Sequence, residues 1–453
     1  MRASIAAMLG AALLLASRDA AASPEDLFGY GARTSAMGAT GTAYAGGYES
    51  AWHNPALASE IRAPKLTLGY TGGVLRLDAV GLDGVRIARR EPGPIKGTVI
   101  GAEIPIPFGG ALRDRVGISL AFYQPTDVVV RGRVLYPEKP QFPMLDDRGQ
   151  SVTIRAGVGA DIGYGIKLGV GFAALAEIVG NVVAATDATG RVGTQVETQL
   201  VATYAPSFAV AYDLPLKTSP EKWTLGLVFR GTLDARFGVE IDGTKLSSLQ
   251  IPLFNISGLA QYDPGQIAVE IARREEPPNG GSSNVLALQL VYKRWSSFPG
   301  VLEPTVVCTE GGAGACGLVP PKIDWSDTIA IRLGADQGYA LGEGAVFHVR
   351  GGTFYETSPL PSSVLGSEAF DASVKGLAPL PTRYYDSDRI ALTAGAGLSL
   401  SKPLPPIDLD LFAQFHQLVP RAIRSTDAAG NVLAEAESSG SILVFGMNAG
   451  VKF

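Results

Sequence analysis

In the stretch Ser441-Ile442-Leu443-Val444-Phe445-Gly446-Met447-Asn448-Ala449-Gly450-Val451-Lys452-Phe453, an apolar side chain falls at every second position from Leu443 to Phe453. Gly446, Asn448, Gly450 and Lys452 between them are small or polar. Successive side chains of a strand point to opposite faces, so this segment has one apolar face, one wet face and an aromatic end. Two structures use that pattern: a strand half-buried in a soluble sheet, and a barrel strand whose apolar face meets lipid. The rest of the chain decides between them.

The two-residue period recurs throughout. In Lys222 to Arg230, Trp223, Leu225, Leu227 and Phe229 share a face; in Thr328 to Asp336, Ile329, Ile331, Leu333 and Ala335 do so. The segments Arg389 to Leu400 and Asp408 to Gln417 repeat it. Further strands are read at Lys65 to Asp78, Gly97 to Ile106, Val116 to Tyr123, Val152 to Gly163, Ile166 to Ala176, Gln199 to Tyr212, Gln266 to Arg273, Val285 to Trp295 and Ala345 to Tyr355. The total is about fourteen, with Arg236 to Ile241 ambiguous, and many reach the roughly nine to eleven residues that cross a bilayer at a barrel's tilt. Soluble strands average nearer five or six. The wet faces carry full charges, among them Arg155, Asp161, Arg230, Arg332, Asp336, Arg350, Asp408 and Asp410. The expected fold is therefore all-β: a transmembrane antiparallel β-barrel with its polar faces turned to the lumen. Tyr70, Tyr123, Tyr212, Trp223, Trp295 and Tyr355 lie near strand ends, where interfacial girdles form.

Composition agrees. Charged residues make up 18% of the 453, below the roughly 25% of soluble domains, and the 56 glycines suit a sheet whose interior must leave room. The net charge of −5 without a basic stripe argues against nucleic acid as a partner. Arg2, the apolar run Ile5 to Ala16 and the small residues Ala20, Ala21 and Ala22 read as a secretory signal spanning 1–22. The run is shorter than a membrane span. Cys308 and Cys316 bracket a Gly-rich stretch and, in an oxidising compartment, are expected to form a local disulfide worth about 2 to 3 kcal/mol. A thiol pair with no nearby His or second Cys pair makes a poor zinc site.

Connections alternate in length. Residues 213–220 and 401–406 read as short turns; Thr126 to Gln150, Val182 to Thr198, Asp242 to Gly265, Phe298 to Asp324 and Thr357 to Asp388 read as long loops. Between the signal and the first strand, residues 28–58 are rich in Gly and Ala, which lets backbone pack closely as a plug inside a barrel requires. The expected division is thus signal 1–22, hatch 23–62 and barrel 63–453.

Gly31-Ala32-Arg33-Thr34-Ser35-Ala36-Met37-Gly38 and Asn54-Pro55-Ala56 resemble the opening and the Asn-Pro-Ala element of the FadL-like long-chain fatty acid outer-membrane transporters. Lys293-Arg294-Trp295-Ser296, the Gly-rich run Arg350 to Pro359, Leu380-Pro381 and Asp386-Ser387-Asp388-Arg389 are similar to later patches of that family, in the same order. The resemblance implies a barrel of fourteen strands in the bacterial outer membrane, filled by an N-terminal hatch. It implies passive uptake of a hydrophobic small molecule, a long-chain fatty acid or an aromatic hydrocarbon, by loop capture, hatch movement and lateral release. Expected partners are that ligand, outer-membrane lipid and lipopolysaccharide, with the chain acting as a monomer and without a cofactor. Hatch residues expected at the ligand are Arg33, Met37, Trp52, His53, Asn54, Pro55 and Ala56. In the first long loop, Val128, Val130, Leu135, Tyr136, Phe142 and Met144 are candidate first contacts, and Arg131 or Arg133 would meet a carboxylate. The alternative is a FadL-like barrel that anchors other exported proteins at the surface.

No His-Glu-x-x-His, Gly-x-Ser-x-Gly or phosphate-binding loop occurs, and the three histidines lie far apart in sequence. Asp408 and Asp410 share a wet strand face where charges belong, so an enzyme is not expected.

Overall fold

The computed structural model describes residues 24–90, 92–93, 95–126, 137–145, 152–186, 192–215, 221–245, 254–275, 282–300, 318–319, 321–342, 344–371, 373, 376–401 and 405–453. The expected signal 1–22 lies outside them, as do Cys308 and Cys316.

Fourteen strands form a closed antiparallel barrel. They are β1 (Lys65–Gly81), β2 (Ile95–Ile106), β3 (Val116–Pro125), β4 (Thr153–Gly163), β5 (Ile166–Thr186), β6 (Val192–Asp213) and β7 (Glu221–Arg230), followed by β8 (Gln266–Glu275), β9 (Ser283–Lys293), β10 (Thr328–Ala340), β11 (Ala345–Glu356), β12 (Arg389–Leu400), β13 (Ile407–Thr426) and β14 (Val432–Lys452). Each pairs with its sequence neighbour in the ring, and β14 returns to β1 in unbroken register from Lys65↔Lys452 to Gly81↔Ala436. The stretch 441–453 thus supplies the closing strand. Its Leu443, Phe445 and Met447 are about half exposed, whereas Ile442 and Val444 are buried. The same outward apolar row continues through Leu225, Leu227 and Phe229, Leu286, Leu288 and Leu290, and Ile329, Ile331 and Leu333. An apolar girdle around a cylinder without a free edge is stable in lipid, because neighbouring strands pair their backbone groups all the way round the ring. The barrel is therefore an outer-membrane one, with both ends of the strand sequence and the short turns at one rim and the long connections at the other.

Two expected loops prove to be strands. β5 and β6 run on through 182–198 as a hairpin beyond the rim, with Thr186↔Val192 at its tip. Phe254–Asp263, placed in a loop by sequence, pairs with Leu233–Lys245, which contains the ambiguous Arg236 to Ile241. That second hairpin stands outside the ring, so β7 and β8 are direct neighbours through Arg230↔Gln266. Its first strand also lies parallel to the distal part of β5, from Val179↔Gly238. Tyr123 and Trp295 do not join a girdle: they point inward and are buried, while Tyr355 faces outward.

Residues 24–61 fill the lumen as short helical turns, Pro24–Phe28, Ala32–Ala36, Gly47–His53 and Pro55–Glu60. The Asn54-Pro55-Ala56 element explains the last of these. The Asn54 side chain accepts from the Ala56 N–H at 3.0 Å while Pro55 occupies the first helical position, an N-terminal cap with its preferred residues. Wall glycines let plug backbone approach: a Cβ on Gly334 would lie 2.3 Å from the Met37 carbonyl, and one on Gly226 2.1 Å from that of Thr42.

Candidate functional site

The plug is tied to the wall by buried polar contacts rather than by apolar packing alone. Glu270 on β8 accepts from three successive plug amides, Gly41 (2.7 Å), Thr42 (2.9 Å) and Ala43 (3.0 Å). Buried carboxylates are costly unless such donors surround them, so the latch and the glycine-rich turn specify one another. Asn54 donates to the Thr42 carbonyl at 2.6 Å and to Val210 of β6 at 3.2 Å. Thr393 donates to the Ala36 carbonyl at 2.7 Å, and Gln414 donates to those of Phe28 and Ser35, each at 2.8 Å. Toward the short-turn rim, Glu60 meets Lys167 (2.8 Å) and Arg274 (3.0 Å), and Arg33 meets Asp336 at 3.1 Å.

Toward the loop rim the lumen carries a ring of charge. Arg155 donates to Asp263 at 3.1 Å and stands 3.7 Å from Glu25 of the plug, which Thr153 also contacts. Gln266 (2.6 Å) and Lys293 (3.0 Å) both donate to Asp26. Lys293 also contacts Glu356, whose other oxygen accepts from Arg389 at 2.8 Å. Trp52 lies between the guanidinium groups of Arg155 and Arg230, 4.0 and 4.2 Å from its ring centre, and Arg230 donates to the carbonyls of Trp52 and His53. Cations on both faces of an indole fix the ring strongly once water is excluded.

Above the ring sits an apolar, aromatic mouth. Tyr262 stacks on Trp295 at 4.9 Å, and Phe298 abuts both edge-on, with Trp325 beyond it. Phe142, Met144, Leu145, Leu360, Val364, Tyr384, Tyr385, Leu418 and Ile423 belong to the same cluster. Burial pushes the carboxyl of Asp386, in the loop over this cluster, up to about 6 even though Ser358 donates to it. Two small cavities lie here: about 30 Å³ between Leu27, Met144, Trp295 and Arg389, and about 10 Å³ beside Trp52. Neither has room for more than a water or two.

The cavity beside Trp52 reaches the wall where its shortest seam ends. β6 and β7 are paired over only seven residues, Ser207↔Arg230 to Asp213↔Thr224. Beyond them Pro206, which has no N–H to give, accepts from Gly231 at 2.7 Å, and the strands part. Directly below, on the lipid side, Val170, Phe208, Val210, Leu227, Phe229 and Ile267 line an open groove of about 510 Å³.

The seven hatch residues named from sequence are therefore all in the lumen and buried except Arg33. Only Trp52 and His53 touch the charged ring, His53 through its carbonyl; Asn54, Pro55 and Ala56 act lower, in seating the plug. Of the loop residues, Phe142 and Met144 lie inside the mouth cluster, sealed rather than exposed; Val128, Val130, Arg131, Arg133, Leu135 and Tyr136 lie outside the described residues. Arg155, Lys293, Glu356 and Arg389 were not singled out as ligand contacts. Their signal was available: each of the last three is a charge at the loop-side end of a strand, on the wet face.

No protein-family model matches the chain, and no curated protein matches it. Solved structures do. A FadL homologue of Pseudomonas aeruginosa superposes with a TM-score of 0.58 at 11% identity, covering 93% of this chain and 98% of that one. The toluene transporter TodX of P. putida gives 0.52 at 12% identity over 94% and 99%, and the Ralstonia pickettii toluene transporter TbuX 0.50 at 13% over 94% and 99%. The chain thus shares the FadL-type fold, plug included, at identities that speak for architecture alone.

Proposed function

We propose that the protein is an outer-membrane channel for passive uptake of hydrophobic molecules, long-chain fatty acids or aromatic hydrocarbons. The observation that carries this reading is an aromatic, apolar mouth stacked directly on a plugged lumen, where the cavities beside Trp52 and beneath Trp295 are water-sized. Such a barrel is of no use as a wet pore. It suits a solute that leaves water at the mouth and moves only when the plug shifts, and the solved neighbours include two toluene transporters. In this scheme residues 1–22 are the export signal and 23–62 the movable hatch. Ligand enters through the loops and the mouth cluster, meets the charged ring, and leaves between β6 and β7 into the lipid-side groove. The short seam, its end at the Pro206–Gly231 hydrogen bond and the neighbouring cavities support that exit. A fatty acid or toluene needs no aqueous path once it reaches acyl chains.

Uptake of labelled laurate or toluene by cells lacking the gene tests the proposal. Restoring the intact protein should restore uptake, and Asn54→Ala, which removes the cap and both Asn54 donor bonds, should restore it poorly. Equal uptake with and without the gene would overturn it.

A further inference from the structure

We propose that the lipid-side groove below the short seam is a binding site for one phospholipid of the periplasmic leaflet, with an acyl chain lying in the groove and the phosphate on Arg115. A lipid can sit there whether or not a solute passes, so the inference does not depend on the uptake reading.

The groove has a direction. It follows the furrow between two outward rows of side chains, one passing from Val158 on β4 through Phe208 to Ile267 on β8, the other from Ala160 on β4 to Leu227 on β7. Ala160 lies three residues before β4 ends at the short-turn rim, whereas Ile267 is the second residue of β8 at the loop rim. The furrow therefore climbs obliquely through the apolar girdle. Its volume of about 510 Å³ is that of a small-molecule site. Inside a bilayer an apolar furrow is filled by acyl chain, because water does not compete for it. Which lipid stays is then decided by what its head group meets.

At the lower end it meets a cation. Val116 is registered with Ala160, and the Asp161 N–H donates to the Arg115 carbonyl at 2.9 Å, so Arg115 stands beside the last groove residue of β4. Its side chain reaches the β4–β5 turn, where a Cβ on Gly163 would lie 3.5 Å from Arg115 Nη1. The acids nearby are engaged elsewhere: Asp114 is 3.7 Å from Arg113, and Asp161 accepts the Gly163 N–H at 2.8 Å. Among the described residues the exposed Arg115 guanidinium has no ion pair or hydrogen bond. A guanidinium matches a phosphate with two parallel N–H donors.

The turns at this end suit the head-group layer. Tyr164 is 95% exposed and holds a left-handed φ of 55°, where Gly or Asn is the ordinary choice. Phe108 and Leu112 are exposed on the neighbouring turn. Tyrosine at the boundary between lipid and water is favourable, and this rim faces the periplasm in an outer-membrane barrel. The upper end offers less: Arg294, whose N–H donates to the Gly265 carbonyl, is exposed but has Asp327 as an electrostatic partner. A lipid anchored from the outer leaflet would need that cation.

The test uses the full protein in dodecylmaltoside micelles, with native mass spectrometry to count bound lipid and heat-dependent gel mobility to confirm the folded barrel. The probes are phosphatidylglycerol and the diacylglycerol with the same chains, which lacks the phosphate. One phosphatidylglycerol should stay bound per barrel. Arg115→Ser should weaken it about fivefold, the share of one basic residue at a membrane surface, and change diacylglycerol by less than about twofold. Val170→Trp, which fills the furrow, should weaken both about tenfold, and Leu168→Phe serves should that variant not fold. Arg294→Ser should leave both unchanged. Equal phosphatidylglycerol affinity with and without Arg115, a loss on Arg294→Ser in its place, binding that survives the filled furrow, or an unmodified barrel that retains no lipid each overturns the inference. None of these outcomes touches the uptake reading, which uptake of laurate or toluene decides.

Discussion

The seam between β14 and β1 and the seam between β6 and β7 perform the same task in one barrel with unequal means. The first is registered over seventeen residues, from Lys65 to Gly81, and the second over seven. Each pair removed from a wall exposes one N–H or C=O that lipid cannot satisfy, at a cost of several kcal/mol. A seam that ends early is therefore tolerable only where something else covers its edge. At β6 and β7 the cover is internal: Pro206 has no donor to expose, the distal strands pair elsewhere, and Trp52 of the plug stands behind the gap between Arg155 and Arg230. The comparison teaches that closure in lipid is a local property: at the long seam the wall closes itself, and at the short seam closure draws on the plug as well.

A covalent bridge across the short seam gives the largest expected effect. Pro206→Cys/Gly231→Cys places thiols on residues joined by a backbone hydrogen bond. Oxidation should abolish laurate uptake, reductant should restore it, and the control pair Val74→Cys/Leu443→Cys across the long seam should leave uptake as it was. Full uptake through a verified Pro206–Gly231 bridge would remove the exit from this seam.

Next comes the cover itself. Glu270→Ala strands three buried plug amides, at about 4 kcal/mol if each unmet donor costs on the order of 1 to 2 kcal/mol. Amide exchange at Gly41, Thr42 and Ala43 should quicken by roughly a thousandfold, while exchange along β14 stays slow. Equal protection in the variant would show that the plug is held by packing alone.

Much of this is legible in the sequence. All fourteen wall strands were readable because one face of each meets lipid, so the two-residue period is enforced by the solvent itself. The two hairpins beyond the rim escape a sequence reading for the complementary reason: outside the bilayer neither face has to be apolar, and the run Gly193-Thr194-Gln195-Val196-Glu197-Thr198 reads as a loop. Trp295 is misplaced because the strand read through it runs too far. The ladder ends at Lys293, which points into the lumen, and Trp295 opens the short turn Trp295–Ser297 that carries the indole inward. The charged ring was half legible. Arg155, Arg230 and Arg332 are readable as charges on wet strand faces, but their convergence with Lys293, Glu356 and Arg389 depends on the circumference, and a linear sequence does not show which strands face each other across a lumen.

Asp386 sharpens the comparison from the loop side. Its carboxyl is raised to about 6 by burial, above the usual value near 4. The folded loop therefore binds the proton more tightly than the unfolded one. The stabilisation is complete below about pH 4 and is lost as pH rises through 6, a change of about 3 kcal/mol. Proteolysis within 357–388 should be slower at pH 4.5 than at pH 7.5, and Asp386→Asn should flatten that difference. A pH-independent rate in the unmodified protein would contradict the assignment. The β6–β7 seam should not respond, since Asp386 lies over the mouth.

The smallest effect concerns how the long-looped seams are finished. At the top of β11 the outward Tyr355 hydroxyl donates to Asp388, and Asp388 also accepts the Ser358 N–H at 2.9 Å. At the top of β9 the same device recurs, with Tyr292 and the Ser296 N–H on Asp327. In both, the aspartate that precedes a descending strand ties the aromatic end of the ascending strand to the first turn of the loop, so the seam is fixed where its ladder stops. β6 and β7 end instead in Pro206 and Gly231. Both tyrosines are exposed at the membrane edge, where water competes for the bond, so Tyr355→Phe should cost only about 1 kcal/mol. It should lower the unfolding midpoint slightly and speed exchange at Ser358, with laurate uptake unchanged. If uptake rose instead, the clamped seam would be a gate as well, and the distinction between the two kinds of seam would fail.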